Sequence, residues 1–119
     1  MSELKNAATG TVLAARVVRP NGWLKRALGL LGRKTLNADE ALWLEHCWGI
    51  HTVGMRFPID VLFLDQDLRI LRVRANVQAG RFAVAHFKAY HVIELAAGTC
   101  EQFDLLPGDT MALSEATTQ

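Results

Sequence analysis

Cys47, His51 and Met55 stand four residues apart, and His46 adjoins the first of them. Thiolate, imidazole and thioether are soft ligands that suit zinc or copper(I). Structural zinc sites usually join two close pairs of ligands, and the second pair here would be His86 and His91. Gly49, Gly54 and Pro58 argue against a helix that would bring 47, 51 and 55 onto one face. The competing reading makes these residues a packed cluster of core side chains, and on that reading no metal and no cofactor is expected. Cys47, His51 and Asp60 also compose a cysteine-nucleophile set. A neighbouring imidazole can hold a thiol as thiolate, and triads are defined by geometry whatever their chain order. Residues four apart on an extended strand lie about 13 Å from one another, which works against it.

Asp60 sits one step inside an apolar run, where a bare carboxylate would cost several kcal/mol. It must reach a partner, and Arg56 or the backbone N–H groups of residues 49–54 are nearest in sequence. The residue reads either as a buried anchor that pins this loop or as a ligand-orienting carboxylate. Glu94 admits a similar buried role or simple exposure. Asp109, after Pro107-Gly108, is placed to satisfy turn amides. Arg69, Arg72 and Arg74 read as a solvated strand face on which only 72 and 74 share a side. The basic segment from Trp23 to Lys34 could lie on an anionic membrane surface, contact a nucleic acid, or cover one end of the core.

The elements that must position these residues are mostly strands. Thr11 to Arg19 predicts a first strand, stopped by Pro20-Asn21-Gly22. Trp23 to Lys34 has helical periodicity, weakened by Gly29 and Gly32. Ala41 to His46 alternates as a strand. Pro58 to Asp65 is an almost continuous apolar run and predicts a central strand, turning at 65–67 into Leu68 to Ala75 as a β-hairpin. Arg81 to His86 and Ala89 to Ala96 predict two more strands. In the second, His91, Ile93 and Leu95 share one face while Tyr90, Val92 and Glu94 share the other. Thr99-Cys-Glu-Gln102 has the pattern of a capping box, opening a short helix with Cys100, Phe103 and Leu106 inward. Thr110 to Leu113 closes the chain as a strand. The expected fold is mainly β: a small antiparallel sandwich or partly open barrel with two short helices.

With 119 residues, 50% of them hydrophobic and 21% charged, the chain is globular and not disordered. A single domain is expected, with flexible ends at 1–9 and 114–119. The formal charge of +1 argues against a general nucleic-acid binder. That near-neutrality is a sum of unlike parts. Residues 1–37 carry seven Lys+Arg against one acid, a net of +6, and residues 38–119 carry six against eleven, a net of −5. Two cysteines cannot make a disulfide scaffold, and the N-terminus lacks a basic region leading into an apolar one. Free thiols and residence in the cytoplasm are the expectation.

Residues 41–65, ALWLEHCWGIHTVGMRFPIDVLFLD, resemble the central motif of the family known as domain of unknown function 192. Its branch with C-x-x-x-H-T-x-G-M-R followed by P-I-D is the one matched. Arg26-Ala-Leu-Gly-Leu-Leu-Gly-Arg33 is similar to the family's R-x-x-G-L-[LM]-x-R segment. Tyr90 to Thr99 is similar to its Y-V-[LI]-E-L-x-A-G-T segment, and Pro107-Gly108-Asp109 to its closing turn. The resemblance covers about residues 10–113 and implies a compact β-rich fold with no activity established for the family. The combined expectation is a non-enzymatic module that binds a small ligand or a protein partner near Cys47, Trp48, His51, Arg56 and Asp60. A glycine-rich loop carrying a tryptophan suits binding. A cysteine-dependent hydrolase or a soft-metal protein using Cys47 and His51 is the alternative.

Overall fold

The computed structural model describes residues 2–20, 35–50, 52, 55–81 and 84–115. Its strands in chain order are β1 (Ser2–Asn6), β2 (Val12–Ala14), β3 (Arg16–Val18), β4 (Glu40–Glu45) and β5 (Gly49–Ile50). They continue with β6 (Ile59–Leu64), β7 (Ile70–Val77), β8 (Val84–Ala85), β9 (His91–Ala96) and β10 (Met111–Glu115), and one helical turn, Thr99–Gln102, precedes β10. A five-stranded sheet in the order β3-β4-β9-β6-β7 forms the centre. A three-stranded sheet, β10-β1-β2, and a two-stranded ribbon, β5-β8, complete it. Among the described residues the sheets do not close into a barrel, and the parallel pairing of β3 with β4 makes the central one mixed.

Period-two alternation gives the central sheet two apolar faces. Ala41, Trp43, Leu62, Leu64, Ile93 and Leu95 pack with Leu4, Leu13 and Met111 of the three-stranded sheet. Leu42, Leu44, Val61, Phe63 and Val92 pack on the other side with Val84, Met55, Cys47 and Ile50, under the ribbon. Because both faces are covered, all of Ile59–Leu64 is buried, which is why that strand reads as an unbroken apolar run.

The expected β6–β7 hairpin is present, and Asp65 shapes its turn. Its Oδ1 accepts N–H bonds from Asp67 (2.9 Å) and Arg69 (3.0 Å). Arg72 and Arg74 lie opposite Phe63 and Val61, on one side as expected.

Other expectations are corrected. The strand expected over 11–19 breaks at Ala15, because Leu13 and Ala14 belong to the three-stranded sheet while 16–18 pair with β4. Residues 2–6, expected as part of a flexible end, form β1 with Leu4 fully buried, and β10 runs on through 114 and 115. No capping box forms. Gly98 is the N-cap in a left-handed conformation (φ 95°), and Thr99 Oγ1 donates to Ala96 O instead (2.7 Å). Leu106, expected inward, is exposed, and Leu105 fills the core position. The strand expected over 81–86 is reduced to Val84–Ala85, with 82 and 83 outside the described residues. The helix expected over 23–34 also lies outside them.

Candidate functional site

Asp60 is fully buried in β6, and its partners are neither Arg56 nor the 49–54 backbone. Oδ1 accepts the Asn76 N–H (2.8 Å), and Oδ2 accepts those of Gly98 (3.1 Å) and Cys100 (2.9 Å). Two local irregularities aim these donors. A β-bulge places one extra residue of β7 opposite Asp60, and Asn76 takes a left-handed conformation (φ 53°), which asparagine tolerates well. The left-handed Gly98 turns the chain into the helical turn, whose first N–H groups have no partner of their own. The carboxylate of Asp60 therefore supplies the cap that a side chain at Thr99 was expected to give. It ties β6 to β7 and to the 98–100 turn.

The direction of this side chain separates the candidate residues. Asp60 alternates with Val61 and shares its face with Leu62, on the side of the three-stranded sheet. Cys47, Ile50 and Met55 pack on the opposite face. Cys47 is half-buried, and its Sγ donates to Gly49 O (3.0 Å). Cys47 and Asp60 thus do not converge on one pocket, and Asp60 cannot orient an imidazole partner of Cys47. His51 lies outside the described residues. Arg56 is exposed beyond the buried Met55.

The second pair of metal ligands is not formed either. His91 is buried on the Trp43 side, where its Nδ1 accepts the Trp43 Nε1–H (3.0 Å). Burial lowers its pKa, against the raising effects of Glu45 and of a hydrogen bond to the Gln66 backbone. His86 sits on the other face near Phe63, with its Nδ1 accepting the Lys88 N–H (3.2 Å). Among the described residues, no group of three or more His, Cys, Asp and Glu is disposed to hold a metal ion. Both cysteines are free thiols, and burial with Asp60 alongside pushes Cys100 up to about 12.

What the structure does bring to the surface near the motif is aromatic. Trp48 is 54% exposed and Phe87 is 88% exposed, with ring centroids 5.5 Å apart and planes inclined by 36°. The ribbon fixes this pair. Gly49 pairs with Ala85 and Ile50 with Val84, and the His86 N–H donates to Trp48 O (2.9 Å). The two strands approach closely at Gly49, where a Cβ would meet the Ala85 Cβ at 3.1 Å. Beside the ribbon, the rings of His46 and Tyr90 lie 4.5 Å apart, with the Tyr90 hydroxyl 3.1 Å from His46 Nε2. Arg19 covers the outer face of Trp43 (3.9 Å to the ring centroid) and pairs with Glu45.

Thr52 locks the base of this region. It is fully buried, its hydroxyl donates to Gln78 O (2.8 Å), and it accepts the Arg81 N–H (2.8 Å). Sequence reasoning singled out Trp48 and weighed His46 as a metal ligand, but gave Tyr90 only a strand position and passed over Phe87 and Thr52. The readable signal was Phe87 beside Lys88 in a short polar connection between two strands, where an aromatic has no core to enter.

Glu94 takes the buried alternative. It lies on the ribbon-side face of β9, directly opposite Leu42 of β4 and Val61 of β6. Burial pushes its carboxyl up to about 7.

Two solved structures have similar folds. A protein of unknown function from Novosphingobium aromaticivorans is 18% identical, with a TM-score of 0.77 over 93% of this chain and 82% of that one. A Sinorhizobium meliloti protein, described as a proposed transcription regulator, is 21% identical, with a TM-score of 0.80 over 93% of this chain and 90% of that one. At these identities the likeness shows a shared fold. No curated protein matches the chain. A family model described as "uncharacterized ACR" matches residues 4–113, so this chain belongs to the domain of unknown function 192 family.

Proposed function

We propose that this chain is a non-enzymatic binding module whose contact surface is the outer side of the β5–β8 ribbon, centred on Trp48 and Phe87. The exposed, adjoining aromatic pair, with its rings tilted to one another, carries this reading. Aromatic rings are large apolar groups, and their exposure to water is costly in proportion to area. Here they flank a ribbon whose Ile50 and Val84 pack inward on the central sheet. Tryptophan and tyrosine are the side chains that dominate contact energies in protein interfaces. Exposed Lys88 follows Phe87 in the chain, and exposed His46 precedes Trp48 by two residues, so polar side chains accompany the pair. The partner that suits such a projecting patch is a protein surface.

The cysteine-hydrolase alternative loses its support in Asp60, whose carboxylate is committed to three backbone N–H groups on the far side of the sheet. The free thiols favour a reducing compartment such as the cytoplasm. No helix of the described residues is long and apolar enough to cross a membrane.

A photoreactive phenylalanine analogue at position 87 tests this reading in the cells that make the protein. It is expected to cross-link one discrete protein, and Trp48→Ala is expected to remove that product. The same analogue at the exposed Leu106, beside the Pro107 turn, is expected to give no such product. A product from position 87 that survives Trp48→Ala would overturn the reading, as would equal labelling from both positions.

A further inference from the structure

An open cleft of about 200 Å³ lies between the turn that joins β1 to β2 and the chain leaving the helical turn. Asn6, Thr9 and Thr11 line one wall, with Leu13 beside them. Gln102, Phe103 and Asp104 line the other. Backbone bonds hold both walls. The Asn6 N–H donates to Thr11 O (2.9 Å) and the Gly10 N–H to Asn6 O (2.8 Å). Opposite, the Phe103 N–H donates to Thr99 O (3.1 Å) and the Leu105 N–H to Cys100 O (3.0 Å). Asp104 between them is left-handed (φ 50°), which aspartate tolerates. The Cys100 N–H that Asp60 accepts ties this second wall to the central sheet.

The lining combines an apolar patch with unanswered donors and acceptors. Leu13 belongs to the core, and Phe103 packs against the same core cluster. Asn6 Oδ1 accepts the Ala8 N–H (2.9 Å), which leaves its NH2 group to donate. Thr11 Oγ1 accepts from the Thr9 hydroxyl (2.9 Å) and keeps its own proton to give. Among the described residues, the Gln102 amide and the Asp104 carboxylate have neither a hydrogen bond nor an ion pair. None of the lining residues is cationic.

These groups select among ligands. An anion would meet the Asp104 carboxylate with no counter-charge beside it. A compact cation would answer Asp104 but offer the Asn6, Thr11 and Gln102 donors nothing to bond. A purely apolar ring would leave all four polar groups without partners. A neutral ring carrying several hydroxyls answers every one, because each hydroxyl both donates and accepts. The cleft is smaller than the roughly 300–1,000 Å³ of sites for drug-sized ligands, which limits the occupant to about one ring.

We propose that this cleft binds a single monosaccharide ring, whose C–H face rests on Phe103 and Leu13. Its hydroxyls donate to Asp104 and accept from Asn6, Thr11 and Gln102. The site is separate from the aromatic surface of the ribbon and does not rest on the reading given for that surface.

Amide NMR on the isotopically labelled full chain at neutral pH tests this with D-glucose, D-galactose and D-mannose. Three rings serve as controls: D-glucuronate, cyclohexylammonium and cyclohexanol. At least one hexose is expected to bind with a millimolar Kd, with shifts centred on residues 6, 9, 11 and 102–104. Each control is expected to bind at least about tenfold more weakly. The methyl glycosides of that hexose then separate two sources. Equal binding supports the end residue of a glycan as the ligand, and loss of binding supports the free sugar. Gln102→Ala and Asp104→Asn, both at exposed positions, are expected to weaken the hexose at least about fivefold at the parent melting temperature. Asp104→Asn is also expected to narrow the gap between the hexose and glucuronate. Failure of all three hexoses to bind at about 100 mM overturns the proposal. So does a control that binds as well as the hexoses, a set of shifts centred away from the cleft, or unchanged affinity in both variants. Weakening confined to variants that melt lower than the parent also overturns it, because loss of shape would then account for the effect. None of these outcomes bears on cross-linking at position 87.

Discussion

The two faces of the central sheet treat a buried carboxylate in opposite ways. On the side of the three-stranded sheet, Asp60 receives three backbone N–H groups, and a bulge, a left-handed asparagine and a left-handed glycine are arranged to deliver them. On the ribbon side, one strand away, Glu94 lies between Leu42 and Val61, and burial pushes its carboxyl up to about 7. The ribbon itself turns Trp48 and Phe87 outward. The difference teaches which face was shaped for folding and which carries features that folding alone does not require.

That contrast can be broken at several points. The largest effect is expected at Asp60. Asp60→Ala leaves three N–H groups buried without an acceptor and is expected to cost about 3 kcal/mol or more in chemical denaturation. A loss below about 1 kcal/mol would mean the three bonds do not organise the 98–100 turn.

Glu94 is expected to act in the other direction and with a pH signature. Its carboxyl titrates near 7 when folded against an ordinary 4.5, so between those values the folded chain holds a proton that the unfolded chain has released. Stability therefore falls as pH rises from about 4.5 and levels off above about 7, by at most about 3 kcal/mol. Glu94→Gln should remove this slope. Denaturation midpoints of both proteins from pH 4.5 to 8 decide the matter, and parallel curves would count against it.

Thr52→Val removes two buried hydrogen bonds at the base of the ribbon and is expected to cost about 1–3 kcal/mol. Hydrogen exchange at the Arg81 amide should accelerate with it. Smallest of all is the stability effect at the aromatic pair. Trp48→Ala with Phe87→Ala is expected to move stability by no more than about 0.5 kcal/mol, because exposed side chains contribute little to the fold. A larger loss would make the pair part of the core and weaken its reading as a contact surface.

Much of this frame was legible in the sequence. The unbroken apolar run of β6 reports a strand buried on both faces, and the alternation in β9 placed Glu94 on the face away from His91 and Ile93. Asp60 was recognisable as a carboxylate that needed partners. Their identity was not, because Asn76, Gly98 and Cys100 are brought to it by a bulge and a turn up to 40 residues away, and local spacing does not encode that. The same non-local delivery defeated the capping box at 99–102: the cap came from another strand. The convergence expected of Cys47 with Asp60 failed for a simpler reason. Whether two residues share a face depends on where strands begin and bend: Cys47, ahead of β5, packs on the ribbon side, while Asp60 in β6 points to the face of Leu62.

The most direct test compares melting temperatures of Asp60→Asn and Glu94→Gln with the parent protein at pH 8. Each substitution changes a single carboxylate to its amide, on adjacent strands of one sheet. The account predicts opposite signs: Asp60→Asn melts lower than the parent, and Glu94→Gln melts higher. Destabilisation by both substitutions would contradict it, because the two faces would then be equally structural.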